Sequence, residues 1–189
     1  MHRLDRGTSG TLLFTKTRQV NKAVHDAFEG HLVKKCYRAV TTCTDGHRLA
    51  GLGLPYSFSA DDYIGRVSPK GQACRMGRLP QDRGGLHART DFTLVQVGSR
   101  SGRLLCYFDC LLGTGRTHQI RLQLSLSGFP LVGDRLYGGE QGFPENGGRI
   151  MLHAVSLDFP HPVTGEQVTC RAPVPPLFLP SFHARGFVI

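Results

Sequence analysis

The chain has 189 residues, enough for one domain with a sizeable core and for a second small one only at a stretch. Lys and Arg number 23 against 14 Asp and Glu, giving +9 with histidine neutral, and the isoelectric point near 9.6 calls for a polyanionic partner. The cations are spread in small groups such as Lys34–Lys35, Arg75–Arg78, Arg100–Arg103 and Arg116–Arg121, which predicts a folded positive face and not a charged tail.

Membrane and secretory classes find no support. No apolar run reaches the length of a membrane helix, no basic helix carries large apolar residues, and the first residues are charged with no apolar stretch behind them. An intracellular protein, cytoplasmic or organellar, is expected. Six cysteines, at 36, 43, 74, 106, 110 and 170, include no C-x-x-C pair, and no His-x-x-x-His accompanies them. That pattern predicts free thiols and no metal site.

In chain order, "GTLLFTK" (10–16) reads as a short buried strand. Val20, Val24, Ala27, Phe28 and Leu32 then recur at helical spacing, with Thr17 placed to cap the helix and Gly30 near its end. "KKCYRAVTT" (34–42) is rich in strand formers and predicts the next strand. Residues 44–87 carry many Gly, Pro, Asp and Arg and predict loops with short edge strands. "RTDFTLVQV" (89–97) and "RLLCYFDCLL" (103–112) alternate on either side of "GSRSG", a hairpin pattern that puts Cys106 and Cys110 on one strand face as small buried residues. "GTGRTHQIRLQLSLSGFP" opens in a glycine loop and turns helical near Thr117. Ile120 pairs with Leu124 and Leu122 with Leu126, and Gly128 with Pro130 forms the stop. The tail alternates turns with short strands in "HAVSLDF", "HPVTGE" and "QVTCRAPVP", and no internal repeat is present.

Seven ordered segments carry a resemblance: "HRLDRGTSGTLLFTK" (2–16), "KKCYRAV" (34–40), "ARTDFTLV" (88–95), "GRTHQIR" (115–121), "GDRLYGG" (133–139), "LHAVSLDFPHPVTGE" (152–166) and "APVP" (172–175). Together they resemble the RluA-type family of RNA pseudouridine synthases. The resemblance implies an α+β fold, a mixed and mainly antiparallel sheet with flanking helices around a central catalytic cleft. Family members are often preceded by a small RNA-binding domain; this chain is expected to be a single catalytic domain over 1–189 without one, acting as a monomer without cofactor on ribosomal or transfer RNA. Met1 abuts the first motif, which leaves open whether the sheet lacks an N-terminal edge strand and whether the enzyme is active. The alternative reading is therefore a catalytically impaired RNA-binding or RNA-chaperone protein that keeps the scaffold.

The resemblance assigns catalysis to Asp5 of "HRLD", to Arg121 as the cation that pairs with it, and to Tyr37 as the ring beneath the extruded uracil. A carboxylate can serve as nucleophile toward sugar or base, and an adjacent cation favours its charged form. Arg121, on a helix, would have its guanidinium held on a rigid element, where a two-point grip on a carboxylate is feasible. Arg3, Arg116, His118 and Gln119 fall in the same motifs and are expected to bind RNA. Thr8, Ser9, Gly10, Gly113 and Gly115 are expected to shape two facing loops, and Gln123 and Leu124 to serve packing alone. Arg66, Lys70, Arg75, Arg78 and Arg83, in the loop-rich segment, are candidates for backbone contacts.

Overall fold

A computed structural model of the chain describes residues 2–45, 49 and 52–179. The alternating segments at 89–97 and 103–112 form the hairpin expected of them, extended to β5 (Leu86–Arg100) and β6 (Arg103–Leu112), antiparallel through ten paired positions. They belong to one eight-stranded sheet. The other strands are β1 (Ser9–Gly10), β2 (Lys34–Thr41), β3 (Tyr56–Arg66), β4 (Met76–Arg78), β7 (Leu152–Pro160) and β8 (Gln167–Arg171). The order is β1-β7-β2-β6-β5-β3-β4, with β8 also pairing β7. Among the described residues only β1 and β7 run parallel, so the sheet is mixed and mainly antiparallel.

Among the described residues two helices flank it, α1 (Asn21–Glu29), entered through a 3-10 turn at Arg18–Val20, and α2 (Gln119–Leu126). Strand alternation sorts the core into two faces. Tyr37, Ala39, Cys106, Phe108 and Cys110 turn toward α2 and meet Ile120, Leu124 and Phe129. Val40, Leu105 and Tyr107 turn the other way, onto Val132, Phe143, Met151 and Phe178. Phe108 and Phe129 lie edge to face at 5.0 Å between ring centres, and Phe58 stacks on Phe92 at 5.1 Å.

Three expectations are corrected. "GTLLFTK" is not a buried strand: pairing ends at Gly10, and Leu12 and Phe14 are exposed while Leu13 alone turns in, toward Ala27, Val33, Leu157 and Phe159. Thr17 makes no side-chain cap, and Leu32 is exposed beyond the end of α1. Residues 56–66, in a segment expected to hold loops and short edge strands, are the eleven-residue β3, paired with β5 from Tyr56↔Leu94 to Ile64↔Leu86. Residues 46–48, 50 and 51 of that segment lie outside the described residues.

Candidate active site

The cleft opens where the N-terminal arm crosses the loop that leads into α2. Ser9 and Gly10 pair with His153 and Ala154 of β7, and the Ser9 hydroxyl lies 2.8 Å from His153 Nδ1. Gly10 has φ 116°, and a Cβ there would run into the Ala154 carbonyl, so only glycine lets the arm lie this close. With the arm pinned there, the Thr8 N–H donates to the Asp5 carbonyl at 3.0 Å in a tight turn. Arg3 Nη2 donates to Thr117 Oγ1 at 3.0 Å, tying the arm to the opposite loop.

Asp5 faces Arg121, as the resemblance implied, but the two-point grip belongs to another carboxylate. Arg121 Nε and Nη2 donate to the two oxygens of Asp134 at 2.7 and 2.8 Å, while Nη1 reaches Asp5 Oδ2 at 3.5 Å. Asp134 is buried at 1% exposure, Arg121 at 6%, and the guanidinium also lies 5.1 Å from the centre of the Tyr137 ring. Asp134 therefore anchors the arginine, and Asp5 meets its other side only through the longer 3.5 Å contact, lining the cleft with 19% of its side chain exposed. The segment "GDRLYGG" was part of the resemblance, yet nothing in its spacing linked Asp134 to Arg121.

His118 precedes α2 with φ 54° and offers Nδ1 to the Tyr137 hydroxyl at 2.9 Å, while that hydroxyl accepts the Met76 N–H at 2.8 Å. Burial, then the charge of Arg121, push the His118 imidazole below its ordinary range, which favours the neutral ring that can accept the phenol proton. Tyr37 sits on β2 in the cleft wall at 8% exposure. Burial first, then the Asp5 charge, push its phenol up to about 12, so the hydroxyl keeps its proton near neutral pH.

Gln119 departs from its expected role. Its amide is used inside the protein, accepting from Thr114 Oγ1 and the Arg116 N–H and donating to the Arg89 carbonyl and Thr90 Oγ1. It braces the loop and has no donor left for RNA. Gln123, expected to serve packing alone, is fully buried and bonds the Ala88 carbonyl and Thr90 Oγ1. Arg116 Nε donates to the His87 carbonyl at 3.0 Å, leaving the rest of its guanidinium at the cleft. Among the loop cations, Arg66 bonds the carbonyls of Ser68, Pro69 and Gln72 and closes its own turn, and Arg78 pairs with Asp62 at 2.7 Å.

The cleft measures about 260 Å³ and brings together Asp5, Tyr37, Arg121, Arg3, Arg116 and His118, with Gln119 behind them. Lys35 and His2, to which the motifs assigned no part, also line it. His2 stacks on Phe28 of α1 at 5.4 Å. Among the described residues no group of three or more His, Cys, Asp or Glu is placed to hold a metal ion, and no helix is long and apolar enough to cross a membrane.

The profile of the RNA pseudouridylate synthase family matches residues 1–126, which contain Asp5, Tyr37 and Arg121. The chain belongs to this family. It is 32% identical to ribosomal large subunit pseudouridine synthase D of Neisseria meningitidis over 93% of its own length and 45% of that protein's. With the uncharacterized RNA pseudouridine synthase YjbO of Bacillus subtilis it shares 35% identity, over 92% of its own length and 54% of the other's. The chain thus spans about half the length of these pseudouridine synthases. Its fold superposes on human RNA pseudouridylate synthase domain containing 1 with a TM-score of 0.72 at 28% identity, covering 92% of this chain and 68% of that one.

Proposed function

We propose that the chain isomerises uridine to pseudouridine in RNA, with Asp5 as the nucleophile. The observation that carries this reading is the Asp5 carboxylate, exposed to a cationic cleft and facing an arginine that a second, buried carboxylate holds in place. A carboxylate so presented can attack the sugar or the base of a uridine turned out of its stack. Taken at the sugar, the attack forms an ester at C1′ as the bond from N1 breaks and frees the uracil to rotate; C5 then bonds C1′ and expels the Asp5 carboxylate, C5 gives up its proton and N1 gains one. Substrate and product are isomers, so nothing else is consumed.

Tyr37 would carry the uracil on its ring and present a protonated hydroxyl. Arg3 and Arg116 would hold the RNA backbone. The name of the Neisseria relative supports ribosomal RNA as the first substrate to try, with transfer RNA beside it. Unmodified transcripts of both, incubated with the protein and mapped chemically, should gain pseudouridine at discrete uridines. If neither gains any while both bind, the chain is an RNA-binding protein on this scaffold and the catalytic reading fails.

A further inference from the structure

Lys35 lies in the wall of the cleft and has no task in the chemistry above. It is buried at 8% exposure, and its ammonium spends one of three protons on a neutral acceptor, the Thr114 carbonyl at 3.1 Å. Among the described residues it forms no ion pair, although Asp5 and Glu29 line the same cleft. Its charged neighbour is Arg116, another cation, and burial followed by that repulsion pushes the lysine below its ordinary range. A buried ammonium beside a second, partly exposed cation and without an anion is costly, and a bound anion lowers that cost.

The space for one is present. A Cβ on Gly115 would stand 3.1 Å from Lys35 Nζ, so glycine keeps that side of the ammonium open. The position along the strand also matters. Lys35 and Tyr37 share a face of β2, two residues and about 6.6 Å apart. A nucleotide with its uracil on Tyr37 and its sugar at Asp5 would direct its phosphate toward Lys35 and Arg116.

We propose that Lys35, with Arg116 beside it, forms a subsite for the backbone phosphate that flanks the reacting uridine. The subsite rests on the reading of the cleft as a uridine site. It makes Lys35 a substrate-binding residue that fixes how far the flipped nucleotide enters, and Gly115 the position that keeps its ammonium accessible.

The test compares uridine, uridine 5′-monophosphate and uridine 3′-monophosphate by NMR titration. The wild-type protein should prefer one monophosphate over uridine by about tenfold, the range of a charge-assisted hydrogen bond. Lys35→Gln, which keeps a donor near the Thr114 carbonyl without the charge, should shrink that preference to about twofold or less while uridine binds as before. Gly115→Ala, whose Cβ crowds the ammonium, should reduce it too, and decides the matter if Lys35→Gln does not fold. A preference that survives in the folded variant, or its absence in the wild type, overturns the proposal. Pseudouridine formation is read separately: turnover with a preference indifferent to Lys35 sinks the subsite alone, and a Lys35-dependent preference without turnover sinks the catalytic reading alone.

Discussion

Arg121 divides its guanidinium between two carboxylates, and the division sets what each can do. The short, two-point contact with buried Asp134 fixes the plane of the fork, and the remaining nitrogen meets Asp5 at 3.5 Å. Asp134→Ala should leave a buried cation with a weak partner and cost about 3 to 5 kcal/mol in urea denaturation. It should also depress turnover, because Arg121 is no longer held. Unchanged stability would mean that Asp5 alone can anchor the arginine. Tyr37 carries a second expectation: with its phenol at about 12, the pH–rate profile should show no loss from Tyr37 up to roughly pH 10, and Tyr37→Phe should bind RNA while turning over more slowly.

Among the elements, β1 is short, and its hold on β7 includes a titratable residue. Burial pushes His153 below its ordinary value of 6.5, and burial does the same to His2 and His118. Above that value all three are neutral in folded and unfolded chains alike. As pH falls through 6.5 the unfolded chain takes up protons first, so folding stability should decline just below it. Denaturation midpoints measured from neutral to mildly acidic pH should fall in the wild type and fall less in His153→Gln. Gln123 ties α2 to the sheet, and Gln123→Leu should cost about 1 to 3 kcal/mol by removing the donor to the Ala88 carbonyl and the acceptor of the Thr90 hydroxyl proton.

The β5–β6 hairpin and α2 were legible from the spacing of their apolar residues, and β2 from its strand formers. β3 was not, although Tyr56, Phe58, Ala60 and Ile64 fall on alternate positions. Asp62 occupies the inward place between Ala60 and Ile64, where it meets Arg78 and Gln123, and this breaks the apolar alternation. "GTLLFTK" failed in the opposite way: its apolar residues suggest burial on both sides, but only Leu13 finds a neighbouring core. Of the site, the quoted motifs supplied Asp5, Tyr37, Arg121, Arg3, Arg116 and His118, which line one cleft. The Arg121–Asp134 pair was not legible, because a contact across a loop leaves no periodic trace in the chain.

At the scale of the whole molecule, the +9 charge predicts RNA binding dominated by phosphate contacts and weakened steeply by salt. Not every cation contributes equally. Arg66 and Arg78 are engaged within the protein, leaving Lys70, Arg75 and Arg83 as the loop cations proposed to meet RNA. Replacing those three with alanine should lower the slope of log affinity against log salt by up to about 2 for a single strand, whereas Arg66→Ala should loosen its turn first. An affinity indifferent to salt would remove the basic groove from the account.

The central claim is that Asp5 is the attacking group and not simply the weaker partner of Arg121. Single-turnover pseudouridine formation by Asp5→Asn, on an RNA that the wild-type protein modifies, tests it most directly. The amide keeps the shape and a contact with Arg121 but loses the charge and most of the nucleophilicity, so turnover should vanish while RNA affinity and fold remain near wild type. Substantial turnover by folded Asp5→Asn would contradict the account and leave Asp5 as an ion pair at the mouth of the cleft.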